Sequence, residues 1–314
     1  MNNGKKIAEG GALLALYSIL LFITMQIPVL GLVSFFCLPI PFILTAAKQK
    51  LGWSIGFLFV ACVLSVLFGT ILAIPTALIA GLLGIIIGDL LKRNKPPFII
   101  YISAFLTFLA GTLVMYAISI WFLEINYLQE LMKVFEATVN RTIDTMTAFG
   151  LEPSEAEQKR LFDMVDMFDT LLPTLLVTTS MVIVALVFVA ARPILKRFSE
   201  KQLSWPPLRE LQLPKSLLWY YLITMILMLF LNQEESGSLY MVLVNLYVIL
   251  QLLMMLQGYS LLFFFSHLQG WVKAIPVTIL VLSLVLPLFQ TFIRILGIID
   301  LGFPLREILQ KKKE

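Results

Sequence analysis

The chain has 314 residues, of which 60% are hydrophobic and 13% are charged, whereas about 25% of the residues of a soluble globular domain are charged. This composition excludes a soluble globular protein, because so few charged groups cannot cover its surface. The net charge of +4 comes from short basic clusters at the ends of apolar runs, which indicates membrane topology rather than nucleic-acid binding.

The apolar runs are long enough for helices that cross a hydrocarbon core of about 30 Å. The first run continues without a signal-peptide cleavage site, so we expect it to be retained. We therefore predict an all-α fold, a polytopic transmembrane helical bundle of about nine spans (range eight to ten) in the lipid bilayer. In chain order the predicted spans are residues 7–26, 30–47, 51–69, 71–91, 97–123, 171–191, 216–231, 239–265 and 275–297.

The basic residues predict the orientation, because Lys and Arg accumulate on the cytoplasmic side of a membrane. The clusters that share one side are Lys5 and Lys6, Lys48 and Lys50, Lys92 to Lys95, Arg192 to Lys201, and Lys273. We therefore predict a multi-pass protein of the bacterial cytoplasmic membrane with a cytoplasmic N-terminus. Nine spans, however, leave the basic tail at Lys311 to Lys313 outside. Either a short tail escapes the rule, or residues 298–310 dip into the membrane or lie along its interface.

We predict that residues 124–170 form an extracytoplasmic insertion of two amphipathic helices. The first carries an apolar stripe at helical spacing from Leu128 to Met146. The second begins at a capping box, in which Ser154 and Glu157 satisfy each other's free backbone donors. The two helices form either a packed hairpin or a lid over an outward-facing pocket.

Two spans carry small residues at the spacing that lets membrane helices approach closely. The first has Ala8, Gly11, Ala12 and Ala15, and the fourth has a seam made of Ala77, Ala80, Gly81, Gly84 and Gly88. Each seam packs either within the chain or, for the first span, against a partner subunit. The second span contains Pro39 and Pro41, which interrupt the helix and mark either a kink or the edge of a binding site.

The stretches GGALLALYSILLFITMQIPVLG, FFCLPIPFILTAAKQKLGWSIG and AGLLGIIIGDLLKR resemble the N-terminal half of the YybS family of bacterial membrane proteins. The same pattern is similar to the S-components of energy-coupling-factor vitamin transporters. The resemblance divides the chain into a six-helix bundle over residues 1–195 and a three-helix extension over residues 196–314. It implies a bundle that binds a small solute and opens outward.

The S-component resemblance also implies site residues. Polar and aromatic groups of the outer half would bind the solute, and the candidates are Gln26, Pro39, Pro41, Thr76 and Trp121. Ala8, Ala12 and Ala15 stand where S-components contact a coupling membrane subunit, which works with an ATPase module.

The residues give little support for catalysis. His267 is the single histidine, and Cys37 and Cys62 lack the spacing of a metal site. No phosphate-binding loop is present, so we predict neither an enzyme nor a bound metal or cofactor. Arg294 lies near the end of the last predicted span, and Asp300 follows it at a reachable distance. They form either a structural ion pair or a proton or ion site.

Two functions remain open from the sequence. The broken helices and small-residue seams favour a protein that binds or transports a small solute. The scarcity of polar groups and the amphipathic insertion favour a non-transporting scaffold or regulatory protein that docks a protein partner.

Overall fold

A computed structural model describes residues 3–69, 71–198, 207–231, 233–303 and 305–311, so Lys201, Lys312 and Lys313 of the basic clusters lie outside the described residues. The regular structure in these residues is helical, which confirms the predicted all-α fold. The helices are α1 (Asn3–Gln26), α2 (Pro28–Cys37), α3 (Ile40–Lys48), α4 (Leu51–Gly69), α5 (Ile74–Lys92), α6 (Pro97–Leu123), α7 (Tyr127–Ala148), α8 (Glu155–Thr170), α9 (Leu172–Phe198), α10 (Ser216–Phe230), α11 (Gln233–Leu268), α12 (Ala274–Val285), α13 (Pro287–Gly302) and α14 (Leu305–Lys311).

Seven segments of the described chain are long and apolar enough to cross a membrane, and α2 and α3 together form one of them. The shorter apolar helix α10 coincides with the seventh predicted span. The ninth predicted span is wrong as a straight helix, because α12 and α13 meet at an angle of 118°. The bend lies at Leu286, whose backbone is extended, as expected for a residue that precedes a proline.

The described helices separate into two compact units, one made of residues 3–158 and 176–198 and the other of residues 159–175 and 207–311. The second unit thus begins before the predicted boundary at residue 195. Each unit has its own apolar core.

In the first unit, the small-residue face of α5 packs against α3. A methyl group on Gly84 would lie 2.5 Å from the carbonyl oxygen of Pro39, and one on Gly88 would lie 2.5 Å from that of Ile43. These positions therefore accept only hydrogen, and the seam of the fourth predicted span serves contact within the chain. The turn between α2 and α3 is part of this contact, because Pro39 and Pro41 are both buried.

The insertion forms the two predicted helices, α7 and α8. The amide of Ser154 donates to the carboxylate of Glu157 at 2.8 Å, and the amide of Glu157 donates to the hydroxyl of Ser154 at 3.4 Å. This geometry confirms the capping box ahead of α8. The side chain of Asn126 caps α7 by accepting from the amide of Gln129 at 3.2 Å.

The second unit is built around α11, which α13 crosses at two glycines. A methyl group on Gly258 would collide with the carbonyl oxygen of Ile293, and one on Gly297 would collide with that of Met254. The backbones of the two helices are therefore in direct contact. Near the other end of α11, the buried Asn245 bonds to Thr174 through its side-chain oxygen, at 2.9 Å from the amide and 2.7 Å from the hydroxyl.

We expect the Gly258→Ala substitution to destabilise the protein by about 1–3 kcal/mol, the usual cost of overpacking a tight contact. The Gly52→Ala substitution is the matched control, because a methyl group there meets no atom within 4 Å. Thermal unfolding of both variants in detergent is the measurement. Equal stability of the two variants would contradict the contact between α11 and α13.

Candidate functional site: a buried polar cluster

A buried ion pair joins the end of α13 to the first turn of α14. The Nη2 atom of Arg306 lies 2.7 Å from Oδ2 of Asp300, and Nε lies 3.1 Å from the same oxygen. The side chain of Asp300 is only 2% exposed and that of Arg306 is 10% exposed. Two residues six positions apart, one on each helix, are thus brought into direct contact.

Further hydrogen bonds connect the pair to α11. Gln257 donates to Oδ2 of Asp300 at 2.5 Å, and Arg306 donates to the hydroxyl of Ser260 at 3.0 Å. The guanidinium also stands over the ring of Phe264, with 5.3 Å between its carbon and the ring centre, a distance at which a cation is attracted to an aromatic face.

The segment that precedes α10 completes the cluster through its backbone. Arg306 donates to the carbonyl oxygen of Arg209 at 2.9 Å, and Ser260 donates to that of Leu211 at 2.6 Å. The amide of Leu213 donates to the side-chain oxygen of Gln257 at 2.9 Å. The hydrogen bonds of the cluster therefore connect residues 209–213, α11, α13 and α14.

Burial makes this cluster sensitive to the loss of either charge. Removing a charge from water costs several kcal/mol, which the partner charge and the hydrogen bonds offset in the intact pair. Without Arg306, Gln257 would be the one side-chain donor left to the buried carboxylate of Asp300 among the described residues. The pair thus contributes little net stability, while its disruption is costly.

A cavity of about 120 Å³ adjoins the ion pair. Gln257, Asp300 and Arg306 line its buried side, and the exposed residues Gln212 and Lys215 line its rim. A cavity of this size with several polar partners can hold water molecules or a small polar solute. No group of three or more metal-ligating residues occurs in the described part of the chain.

The predicted pairing of Arg294 with Asp300 is wrong, because Asp300 binds Arg306 instead. Both predicted partners lie on α13, and residues six positions apart on one helix point in different directions, since each residue turns by about 100°. Arg306 lies outside every predicted span, within residues 298–310, and its sequence neighbours do not identify Asp300 as its partner. The sequence signals that remain are Gln257, a polar residue within an apolar span, and Gly302, which precedes the reversal.

The predicted solute-binding residues of the first unit are spread over different environments. Pro39 and Pro41 are buried in the contact with α5, and Thr76 is half-buried. Gln26 is exposed at the end of α1, and Trp121 is 81% exposed near the end of α6. Their role in solute binding stays a prediction.

The small residues of the first span, Ala8, Ala12 and Ala15, are exposed on α1. Beside them a groove of about 430 Å³ runs between α1 and α4, and its lining includes Gly11 and Gly56. A methyl group on either glycine would meet no atom within 4 Å. The backbone is therefore open along this groove, as at surfaces where membrane helices associate.

Comparison with known proteins places the chain among membrane proteins. Residues 15–301 match the family described as "Predicted membrane protein (DUF2232)". The chain is also 31% identical over 310 residues to the "Uncharacterized protein YybS" of Bacillus subtilis (strain 168), covering 98% of this chain and 99% of that protein. No solved structure matches the chain, so the similarity to S-components stays a prediction.

We expect the Arg306→Met substitution to cost about 3–5 kcal/mol of stability, because it leaves Asp300 charged and unpaired. The double substitution Arg306→Met with Asp300→Leu removes both charges and should recover most of that loss. Arg294→Met is the control for a cationic residue of α13 outside the cluster. Thermal unfolding of these three variants, of Asp300→Leu alone and of the wild type measures the coupling. Additive losses in the double variant would show that the two residues act independently.

Proposed function

As a member of the DUF2232 family of predicted membrane proteins, this chain is a polytopic membrane protein, and we propose that it binds or transports a small polar solute. The observation that carries the proposal is the cavity beside Asp300 and Arg306. Ionisable residues inside a membrane protein are costly and usually serve a substrate or ion path. Here both charges and Gln257 border a space that a solute can enter from the exposed rim.

The chemistry of the lining limits the solute. Lys215 and Gln212 offer donors at the rim, and Asp300 offers carboxylate oxygens below them. Such a lining suits a small molecule with both hydrogen-bond donors and acceptors, and its volume of about 120 Å³ excludes a drug-sized ligand, whose pocket is at least about 300 Å³. Transport in the manner of S-components would draw its energy from a coupling subunit or an ion gradient, since the chain has no phosphate-binding loop.

A panel of vitamins and polar metabolites tests the proposal by thermal unfolding of the purified protein. A ligand at 100 times its dissociation constant stabilises the folded state by about 2.7 kcal/mol. We expect a stabilising compound for the wild type and a weaker effect in the Lys215→Met variant, whose exposed position leaves the fold intact.

The control is Lys273→Met, an exposed lysine outside the cavity lining, which should respond like the wild type. A panel without any stabilising compound, or one whose effect is equal in both lysine variants, would contradict solute binding in this cavity.

A second function, the docking of a partner membrane protein, is supported by the groove between α1 and α4. Its exposed glycines and the neighbouring Ala8, Ala12 and Ala15 would let a partner helix approach the backbone closely. This role fits a coupling subunit of a transporter, and it equally fits the scaffold that the sequence left open. A scaffold would dock its partner without binding a solute, whereas a transporter would need one.

We expect the Gly56→Leu substitution to fill the groove and to remove a partner from the complex extracted in mild detergent. The control is Leu106→Phe, which enlarges a residue of α6 that is also exposed. Native gel electrophoresis measures the size of the complex. If both variants retain the wild-type size, the groove is not a docking site.

A further inference from the structure

We infer that residues 274–311 form a re-entrant element, which stops inside the membrane and returns to the side from which it started. On this basis the tail and the rim of the polar cavity both face the cytoplasm. The inference concerns the topology of the second unit and is independent of which solute, if any, the cavity binds.

The first argument is length. α12 has 12 residues and α13 has 16, which correspond to about 18 Å and about 24 Å at 1.5 Å per residue. Each is shorter than the hydrocarbon core of about 30 Å. The 15-residue α10 is short as well, so length counts here only together with the bend. A bend of 118° separates the two helices, so their lengths do not add along one direction.

The second argument is the depth that α13 reaches along α11. Ile293 packs in a cluster with Tyr259 and Leu262, and Leu301 packs in a cluster with Leu250 and Met254. The beginning of α13 therefore contacts the C-terminal part of α11, and the end of α13 contacts the middle of α11. Leu239, near the N-terminal end of the apolar part of α11, precedes Leu250 by eleven residues, which is about 16 Å along the helix. The end of α13 stops short of that end of α11.

The third argument is the reversal after α13. Arg306 follows Leu301 by five residues, yet its side chain reaches Ser260 and the ring of Phe264, nearer the C-terminal end of α11. The same side chain binds the carbonyl oxygen of Arg209, in the segment that precedes α10. The ion pair with Asp300 therefore holds α14 at the end of the unit where α10 begins and α11 ends.

The charges then assign this end to the cytoplasm. Arg192, Lys196 and Arg197 precede the segment, Arg209 lies within it, and Lys273 follows α11. Basic residues in short loops remain on the cytoplasmic side. A returning α14 also places the basic tail at Lys311 with these clusters, which removes the disagreement that nine straight spans create.

Labelling of single cysteines tests this topology in the full-length protein, after replacement of Cys37 and Cys62 by alanine. A membrane-impermeant maleimide is applied to intact spheroplasts and to permeabilised ones. Four exposed positions of the second unit serve as probes, namely Ser238, Gln212, Lys273 and Ile308. Ser238→Cys reports the far end of α11, and Lys273→Cys reports the near end.

We expect Ser238→Cys to react in intact spheroplasts, while Lys273→Cys, Gln212→Cys and Ile308→Cys react at least tenfold more after permeabilisation. Reaction of Ile308→Cys in intact spheroplasts, with Lys273→Cys protected, would overturn the re-entrant element. Reaction of Gln212→Cys there would overturn the cytoplasmic opening of the cavity. Reaction of Ser238→Cys only after permeabilisation would overturn the cytoplasmic assignment.

A fusion of the full chain to green fluorescent protein or to alkaline phosphatase gives a second measurement that does not depend on cysteine reactivity. A cytoplasmic tail makes the fluorescent fusion bright and the phosphatase fusion inactive. An active phosphatase and a dark fluorescent fusion would overturn the inference, also in the case that the Ile308→Cys variant fails to fold.

Discussion

Close approach of helix backbones is the contact on which both units depend. In a bilayer, apolar side chains gain little free energy by leaving lipid for protein, so helices associate where small residues allow extensive van der Waals contact. Gly84 and Gly88 provide such a contact between α5 and α3, and Gly258 and Gly297 provide it between α11 and α13. At each of these positions a single methyl group would meet a backbone or side-chain atom of the neighbouring helix.

The polar cluster follows from the second of these contacts. Gln257 is adjacent to Gly258, and Asp300 lies one turn beyond Gly297. Bringing the two backbones together therefore brings the amide and the carboxylate to hydrogen-bond distance. Outside such a contact the same groups would face lipid, where an unsatisfied polar group costs several kcal/mol. In the second unit, the close contact between α11 and α13 therefore makes the buried hydrogen bonds possible, and these bonds in turn hold the two helices together.

Features set by local sequence were predictable. The apolar runs, the capping box at Ser154 and Glu157, and the small-residue face of α5 each depend on residues close together in the chain, and the structure confirms them. The bend at Leu286 had a local signal in Pro287, which the length of the apolar run obscured. No local signal identified Arg306 as the partner of Asp300, because the two residues lie on different helices. Long-range geometry of this kind leaves no periodic trace in a sequence.

The position of Arg306 in the chain has a consequence for biosynthesis. Gln257 leaves the ribosome 49 residues before Arg306, an interval of roughly 2–10 s at synthesis rates of about 5–20 residues per second. Throughout that interval α11 is present without the guanidinium that closes its polar cluster. The second unit therefore reaches its final hydrogen-bonding arrangement late in translation, and an mRNA that stops between codons 300 and 306 would encode a membrane-inserted chain with an uncompensated carboxylate.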